Sequence, residues 1–317
     1  MFPADTDAPR LVLAPMEGLT DPPMRRQLTA VGGYDWCVTE FIRVTDRLHP
    51  ARTFLEYCPE LLQGGRTDAG TPVHVQLLGS EPEALAENAA LAARLGAPAI
   101  DLNFGCPAKT VNRHRGGAVL LEEPETLFAV ISAVRRAVPP PIPVSAKMRL
   151  GLHDRSRLLD NGRAVAAAGA SWLTVHARTK IDGYRPPAYW DAIAALHEIA
   201  GLSLIANGEI WTPEDAARCR EQSLCPDLML GRGAVTRPDL ARRIRGEDWQ
   251  LGWAGLVSRQ LDFIATTVGH EAGVAGRYKQ WLAMLTAGYP EAARLFEQVK
   301  RLRVLADIRR LLEASAG

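Results

Sequence analysis

A cysteine between a strand-like stretch and a proline is the residue of this sequence best placed for acid chemistry. Cys106 stands in the segment Asp-Leu-Asn-Phe-Gly-Cys-Pro, residues 101–107. A thiol just beyond a strand can serve as a general acid or as a nucleophile. Cys106 is therefore the candidate catalytic residue. The alternative, a buried structural cysteine, is the better interpretation of the other four: Cys37, Cys58, Cys219 and Cys225.

Three polar side chains lie in other apolar stretches. A buried lysine is costly, so Lys147 either forms an internal salt bridge or places a cation beside a reducible ring, whose reduced form it would stabilise. Gln76 can donate and accept in the plane of such a ring, although a buried glutamine without a ligand is the alternative. His176, at a strand end, is either a satisfied core histidine or a contact to a ligand or substrate.

Two glycine-containing turns suit a phosphate. The first is Asn207-Gly208-Glu209 and the second is Gly231-Arg232-Gly233. Glycine lets the backbone approach a phosphate, N–H groups at a helix start donate to it, and Arg232 adds charge. Glycine also ends many strands for the sake of the turn alone. The occurrence of both turns after the last two predicted strands favours the phosphate interpretation.

The elements that must position these residues alternate between short apolar strands and longer helices. Eight strands are predicted: Leu11–Met16, Trp36–Phe41, Val73–Leu78, Ala99–Asn103, Val144–Arg149, Trp172–Ala177, Ser203–Asn207 and Asp227–Leu230. Helices are predicted at Glu83–Leu95, Pro124–Val138, Arg155–Ala168, Trp190–Ala200, Thr212–Gln222 and Pro238–Gly246. Polar residues end nearly every strand, which favours a (β/α)₈ TIM barrel over a doubly wound open sheet.

After residue 246 the alternation stops and only helical patterns follow. We therefore expect a catalytic barrel over residues 1–246 and an all-helical domain over residues 247–317. From Gly273 onward there are eight Lys or Arg and four Asp or Glu. This excess of positive charge is either a solvated helix face or a surface that contacts phosphates.

Composition excludes several classes of protein. Hydrophobic residues make up 47% and charged residues 23% of 317, and the net charge is +1, so a general nucleic-acid coat is excluded. The five cysteines show no metal-ligand spacing and predict free thiols. Residues 1–10 lack an apolar run, and no stretch has the length of a membrane helix. We expect a cytoplasmic protein with no membrane contact and no metal.

The same motifs, in order along the barrel, resemble the tRNA-dihydrouridine synthase family. The matching segments are APMEGLTD (14–21), TEF (39–41), VQLLG (75–79), DLNFGCPAKTV (101–111), GGAVLL (116–121), SAKMRLG (145–151), VHART (175–179), IANGEI (205–210) and LGRGA (230–234). The segments TEFIRV, ANGEIW and KQWL (279–282) are most similar to the C-type bacterial subfamily, which acts on uridine 16 of the D-loop.

The resemblance implies an FMN-binding barrel, reduced by NADPH or NADH, with a helical C-terminal domain that helps to hold tRNA. It implies that Cys106 is the proton donor. The residues implied to bind FMN are Pro15, Met16, Glu17, Gln76, Lys147, His176, Asn207, Gly208, Glu209, Gly231 and Arg232. The residues implied to contact tRNA are Arg43, Asn103, Tyr184, Arg277, Lys279 and Lys300. The resemblance also favours a monomer.

The sequence differs from the family pattern at two places that are expected to affect tRNA binding. At Lys300 the resemblance leads us to expect an arginine, and a lysine keeps the charge without the bidentate fork. The loop Asn112-Arg113-His114-Arg115 is more basic than the Gly/Ser-rich loop expected there.

The implied reaction adds hydride from flavin N5 to uracil C6 and a proton from Cys106 to C5. Asn103 would hold the uracil, and Lys147 and His176 would balance charge. One alternative is a flavin barrel enzyme that acts on a free pyrimidine, similar to the dihydroorotate dehydrogenases. The other is a tRNA-binding module whose redox chemistry is secondary.

Overall fold

Parallel strands close into a barrel in the computed structural model, which describes residues 8–316. In chain order the strands are β1 (Leu11–Leu13), β2 (Trp36–Val38), β3 (Ile42–Arg43), β4 (Val73–Leu78), β5 (Ile100–Phe104), β6 (Val144–Arg149), β7 (Leu173–His176), β8 (Leu204–Asn207) and β9 (Asp227–Leu230). Each barrel strand pairs in parallel with the next along the chain, and β9 pairs with β1 to close the ring. The predicted (β/α)₈ barrel is confirmed, and the open sheet is excluded.

Two predicted strands end early, for physical reasons. Strand β1 stops at Leu13, because Pro15 has no N–H for the ladder. The second predicted strand breaks at Val38, and the chain resumes as β3, which pairs only with β4. The break lets the consecutive residues Glu40 and Phe41 both line the central cavity, which the alternation of a regular strand forbids.

Helices surround the barrel. They are α1 (Pro22–Val31), α2 (Ala51–Tyr57), α3 (Pro82–Arg94), α4 (Lys109–Arg113), α5 (Pro124–Ala137), α6 (Leu158–Ala167), α7 (Asp191–Ala194), α8 (Pro213–Ser223), α9 (Arg232–Thr236) and α10 (Leu240–Ile244). Short 3₁₀ turns cover Pro59–Gln63, Gly117–Glu122 and Ala195–Glu198. The predicted helix over residues 190–200 is therefore split between α7 and a 3₁₀ turn, and the one over 238–246 shortens to α10.

Local sequence explains where the clearest helix begins. Thr212 accepts a hydrogen bond from the Asp215 N–H, and the Asp215 side chain accepts one from the Thr212 N–H. Pro213 occupies the first turn of the same helix, where its missing N–H costs nothing. The predicted start of this helix is thus confirmed to within one residue.

Four helices complete the described chain: α11 (Trp253–Thr266), α12 (Glu271–Leu285), α13 (Pro290–Val299) and α14 (Leu305–Ala314). The apolar face of α13 and α14 points inward, because Leu295, Val299, Ile308 and Leu312 are buried. These helices pack on the barrel through the same continuous core, and Trp281 donates to the Val235 carbonyl at 3.2 Å. The boundary between residues 246 and 247 stays a prediction.

A separate apolar cluster contains aromatic and aliphatic side chains of the barrel strands. Trp36 stacks on His74 with ring centroids 5.3 Å apart, and Trp172 lies 5.4 Å from Trp36. Val12, Ile205 and Met229 belong to the same cluster, so it is built from opposite sides of the ring. It supports the polar cavity described below.

Within residues 8–316, no helix is long and apolar enough to cross a membrane. The same residues hold no group of three or more His, Cys, Asp or Glu side chains that could bind a metal ion. Residues 1–7, part of the segment expected not to be a signal peptide, lie outside the described residues.

Candidate active site

A cavity of about 490 Å³ opens at the carboxyl ends of the strands. Strand register brings the site residues to this end, because Asn103 lies opposite Lys147 and His176 lies opposite both Arg149 and Asn207. All eleven residues predicted to bind FMN line the cavity: Pro15, Met16, Glu17, Gln76, Lys147, His176, Asn207, Gly208, Glu209, Gly231 and Arg232. Cys106, Asn103 and Tyr184 line it as well.

A chain of hydrogen bonds fixes the orientation of the amide side chains. Asp101 is buried and accepts from Gln76 Nε2 at 2.6 Å and from Ser145 Oγ at 2.6 Å. Gln76 Oε1 then accepts from Asn103 Nδ2 at 2.8 Å. Asn103 Oδ1 accepts from the N–H groups of Gly105 and Cys106 at 2.9 and 3.0 Å. Asn103 therefore offers its N–H₂ group, and not its oxygen, to a ligand in the cavity.

The Cys106 thiol is protonated at neutral pH. Its side chain lies against Leu78 and Val111 at the cavity wall, and the residue is 7% exposed. Burial raises the pKa of Cys106, and the nearby Glu17 carboxylate raises it further, while an Ala108 N–H, Arg149 and Arg43 oppose the increase. A thiol in this state can donate a proton, as a general acid must.

The other titratable groups of the cavity are a lysine of modest basicity and a neutral imidazole. Burial, and secondly the Arg149 charge, lower the pKa of Lys147 to about 8, while Asp101 raises it. Burial also lowers the pKa of His176 well below its ordinary value, and Arg149 and Lys147 lower it further. Lys147 makes no hydrogen bond or ion pair at salt-bridge distance within residues 8–316, so its ammonium group lacks a close anion there.

The opposite side of the cavity has the features of a phosphate cradle. Gly208 has φ +116°, and a Cβ there would lie 2.6 Å from His176 Cδ2, so only glycine fits. Helix α9 begins at Arg232, and the first N–H groups of a helix have no partner within it. Gly231 and Gly233 line the cavity beside them.

Glu209 fixes the positions of two arginine side chains beside the proposed phosphate cradle. Burial raises the pKa of Glu209, but hydrogen bonds from Arg178 and Trp211 outweigh it, so the pKa is lower than usual. Arg178 is fully buried and donates to Glu209 Oε2 at 2.5 Å, while Arg232 Nη2 lies 3.7 Å from the same oxygen. Glu209 thus holds Arg232 at the cavity without neutralising every cation around it.

The residues present fit FMN. A flavin needs polar contacts along the ring, a cation near its pyrimidine edge and a phosphate site at the other end. Gln76, Asn103 and Lys147 supply the first two from adjacent strands, and the turns at Gly208 and Gly231 supply the third. The absence of a close anion at Lys147 supports this fit, because the cation is left for a ligand.

Arg149 is the main site residue to which sequence reasoning gave no role. Its Nε donates to the Gly105 carbonyl at 2.9 Å, and its Nη1 donates to the carbonyls of Thr179 and Gly183 at 3.0 and 2.8 Å. Its guanidinium lies 5.1 Å from the Tyr184 ring centroid. Arg149 thus ties the loop of Cys106 to the loop of Tyr184. The signal was available, because strand alternation places Arg149 on the same side as Lys147.

Other cavity residues were also given no role. Glu40 accepts from the Gly18 N–H, and Gln280 of α12 donates to the Gly18 carbonyl at 3.1 Å. Both contacts close one wall of the cavity around the loop after β1. Phe41 and Trp211 complete the apolar lining. Glu40 and Phe41 had a sequence signal in their place at a predicted strand end, and Trp211 and Gln280 had one in the matching segments ANGEIW and KQWL.

Four of the predicted tRNA contacts lie outside the cavity lining, and three of these have partners within the protein. Arg277 donates to Asp21 Oδ2 at 2.8 Å, and Lys279 donates to the Leu302 carbonyl at 3.0 Å. Lys300 forms an ion pair with Glu297. Arg43 is half-buried on β3, close enough to lower the pKa of Cys106.

The excess positive charge of the C-terminal helices is only partly compensated. Arg294 pairs with Glu291 and Arg310 with Asp307, each one helical turn apart. The side chains of Arg301, Arg303 and Arg309 are exposed.

Comparison with known proteins agrees with these features. Residues 12–301 match the model of the dihydrouridine synthase family. The chain is 55% identical over 313 residues to a tRNA-dihydrouridine(16) synthase of Aquipseudomonas alcaligenes, covering 96% of this chain and 99% of that protein. It is 55% identical over 299 residues to the protein of the same name from Pseudomonas syringae pv. tomato, covering 92% of this chain and 94% of that protein.

A solved structure of histamine dehydrogenase from Rhizobium sp. 4-9 superposes with a TM-score of 0.58 at 14% identity, covering 82% of this chain and 49% of that chain. At this identity the likeness concerns the fold alone. The match of the family model over most of the barrel and the C-terminal helices is decisive: this chain is a member of the dihydrouridine synthase family.

Proposed function

We propose that this protein reduces uridine 16 of the tRNA D-loop to 5,6-dihydrouridine, with FMN as cofactor and NADPH as reductant. The names of its relatives support the substrate, since they are tRNA-dihydrouridine(16) synthases at 44–55% identity over nearly the whole chain. The observation that carries the proposal is the meeting of Cys106, Asn103 and Lys147 in one cavity at the carboxyl ends of the strands.

Residues on three sides of the cavity would hold FMN. Lys147 and Gln76 would contact the ring, His176 would lie beside it, and the turns at Gly208 and Gly231 would take the phosphate. Bound there, FMN would supply the two-electron chemistry, with NADPH as the source of the electrons and uracil C6 as the acceptor of hydride. No Gly-x-Gly-x-x-Gly motif is available for NADPH, so we expect it to bind transiently and leave before RNA enters.

Cys106 would complete the reduction by giving its thiol proton to uracil C5. The C5=C6 double bond becomes a single bond, and uridine, NADPH and one proton give dihydrouridine and NADP⁺. Burial keeps the thiol protonated at neutral pH, because it raises the pKa of Cys106. The thiolate left behind regains its proton from solvent through the cavity mouth.

The polarity of the cavity suits uracil. The substrate base must leave its stack to reach the site. Asn103 offers N–H because its oxygen already accepts two backbone hydrogen bonds, and Arg149 is a donor only. Uracil has two carbonyl oxygens to accept these bonds, whereas cytosine replaces one of them with an amino group. Tyr184 is 54% exposed and would offer its ring as a stacking surface for the base.

Binding of tRNA would involve Arg43, Tyr184, Arg277, Lys279 and Lys300. Because Arg277, Lys279 and Lys300 have intramolecular partners, phosphates would have to replace or share those contacts. The proposal includes a cytoplasmic location, which agrees with five unpaired cysteines. A monomeric state and a preference for NADPH over NADH remain predictions.

The test follows the visible absorption of the purified protein during one cycle. We expect a flavin spectrum that NADPH bleaches and unmodified tRNA restores, with dihydrouridine mapped at position 16. A matched tRNA with cytidine at that position serves as control and should not restore the spectrum. Recovery with free uracil or dihydroorotate, but not with tRNA, would favour the free-pyrimidine enzyme. A protein that binds tRNA but cannot be loaded with FMN would leave only the RNA-binding module.

A further inference from the structure

Asn112 holds the backbone of Cys106 from outside the cavity. It lies on α4, six residues after the cysteine, and it is not among the residues that line the cavity. Its Nδ2 donates to the Cys106 carbonyl at 2.9 Å and to the Gly116 carbonyl at 2.9 Å. Both hydrogens of the amide are therefore used to join the two ends of the loop.

The loop around Cys106 is closed tightly. The Ala118 N–H also donates to the Cys106 carbonyl at 3.0 Å, and Asn103 holds the Cys106 N–H. Gly117 has φ +67°, and a Cβ there would lie 2.7 Å from the Cys106 oxygen. The cysteine backbone is thus held on both sides, and Asn112 is the only side chain among residues 8–316 that bonds to its carbonyl.

We propose that Asn112 is a positioning residue that fixes the direction of the Cys106 thiol. The inference rests on the proposed function, because it assigns to Asn112 the placement of the proton donor. Asn112 has no contact with the cavity itself, so its effect must pass through Cys106. Displacement of a reacting group by about 1 Å can cost about 100-fold in rate, so a loosened loop should be costly.

Two variants test the proposal, with Asn88 as matched control. Asn112→Ala removes both donors, and Asn112→Ser keeps one hydroxyl donor. Asn88 is buried, its Nδ2 likewise donates to the carbonyls of Arg47 and Ala84, and its Oδ1 accepts from the His49 N–H. Asn88→Ala therefore removes at least as many hydrogen bonds as Asn112→Ala, at a place away from Cys106. Flavin content and the rate of flavin reduction by NADPH report whether each variant is folded.

We expect Asn112→Ala to slow single-turnover uridine reduction by about 10- to 100-fold, mainly in the maximal rate, with flavin reduction by NADPH unchanged. Asn112→Ser should lie between it and the wild type. Alkylation of the native protein by iodoacetamide should become several-fold faster in Asn112→Ala and not in Asn88→Ala. Only Cys106 is exposed to this reagent, at 7%, because the other four cysteines are fully buried.

Unchanged alkylation and unchanged uridine reduction in Asn112→Ala would overturn the proposal. The alkylation measurement needs no RNA. A wild-type protein that fails to reduce tRNA would therefore refute the proposed function and leave the comparison of Asn112 with Asn88 to decide the positioning role.

A different observation, exposed positive charge in the segment that directly follows two cavity residues, supports a second inference. Lys109, Arg113, His114 and Arg115, here called the basic rim, are exposed and follow the cavity residues Pro107 and Ala108. Arg115 pairs with Glu123 at 2.6 Å. Lys109 and Arg113 form no ion pair within residues 8–316, so their charges are uncompensated at close range.

We infer that the basic rim binds the phosphates next to the uridine that enters the cavity. This inference also rests on the proposed function. RNA is the partner that the position favours, because a base can reach Cys106 only if its own backbone passes the mouth. Phosphate contacts release counterions, so binding by such residues weakens as salt rises.

The double variant Lys109→Ala/Arg113→Ala tests the rim. Its control is Arg94→Ala/Arg136→Ala, which removes two exposed charges from the last turns of α3 and α5, at the opposite end of the barrel. We expect KM for tRNA to rise about tenfold. The slope of the logarithm of tRNA affinity against the logarithm of salt concentration should decrease by the equivalent of about one to two phosphate contacts. A salt dependence equal to that of the control would overturn the inference, whereas absence of tRNA binding by the wild type would refute the proposed function.

Discussion

Removal of the Cys106 thiol is the perturbation that most directly tests the chemistry. Cys106→Ala deletes the proposed proton donor and leaves the proposed flavin contacts of the cavity in place. General acid catalysis contributes about 10²- to 10⁴-fold, which corresponds to about 2.7–5.5 kcal/mol of transition-state stabilisation. The cavity opens to solvent beside Cys106, so water can enter and protonate C5 slowly, and we expect a loss near the lower end of that range.

The assay separates the two halves of the reaction. The variant is reduced by NADPH without oxygen and then mixed with tRNA, and the return of the flavin absorbance gives the rate of uridine reduction. Flavin reduction by NADPH should be unchanged, because Cys106 has no part in it. Cys106→Ser is the matched control, since serine keeps the shape but is a far weaker acid, and it should be as slow as Cys106→Ala.

The dependence on pH follows from the direction of the shift. An acid must be protonated to act, and burial raises the pKa of Cys106. Uridine reduction by the wild type should therefore stay constant through neutral pH and fall only at alkaline pH, and the residual rate of Cys106→Ala should lack this fall. Wild-type rates in Cys106→Ala, or a fall of the wild-type rate with a midpoint below neutral pH, would refute the assignment of Cys106 as general acid.

Three further predictions concern two residues of the cavity and one residue that packs in the separate aromatic cluster. Lys147→Met should lower the flavin reduction potential, because the lysine cation would no longer stabilise the negative charge of the reduced flavin. Two charges about 4–8 Å apart at an effective dielectric constant of about 20 interact by about 2–4 kcal/mol. An unchanged potential in a redox titration would contradict this prediction. Gly208→Ala should weaken FMN binding, because the new Cβ would lie 2.6 Å from the His176 ring at φ +116°, and equal FMN affinity by fluorescence titration would contradict it. Burial lowers the pKa of His74 to about 3 in the folded protein. Below pH 6.5 the unfolded chain therefore binds more protons at this residue than the folded protein does. The free energy of unfolding should then fall by about 1.4 kcal/mol for each pH unit as the pH decreases. His74→Phe should lose that slope in urea unfolding at pH 6.5 and pH 5, and parallel slopes for the two proteins would refute the burial argument.

The sequence predicts the barrel because each buried strand is a short apolar stretch with polar residues at its end. Strands β4, β6 and β9 match their predicted bounds, since nothing inside them interrupts the ladder. The predictions are wrong at the ends of the first two strands, where consecutive residues turn toward the cavity. Strand propensity alone does not report such a turn, because the cause is Pro15 in one case and closure around a cavity in the other.

The sequence alone does not predict which side chains the site residues contact. Lys147 and His176 could be placed at strand ends. The lowered pKa of His176, however, depends first on its burial and then on the charges of Arg149 and Lys147 from a neighbouring strand. The ion pair of Arg277 joins residues 256 positions apart in the chain. Such contacts arise from strand register and helix packing, so they become visible only when the fold is known.

The hydrogen-bond chain from Asp101 shows why register matters for substrate choice. A lone asparagine can present either its oxygen or its nitrogen, so Asn103 alone does not distinguish a carbonyl from an amino group. Asp101 accepts from Gln76 Nε2, which leaves the amide oxygen of Gln76 to accept from Asn103. The backbone N–H groups of Gly105 and Cys106 impose the same direction from the other end. Two independent constraints thus make Asn103 a donor, and this direction supports the proposal that the substrate base carries a carbonyl at that position.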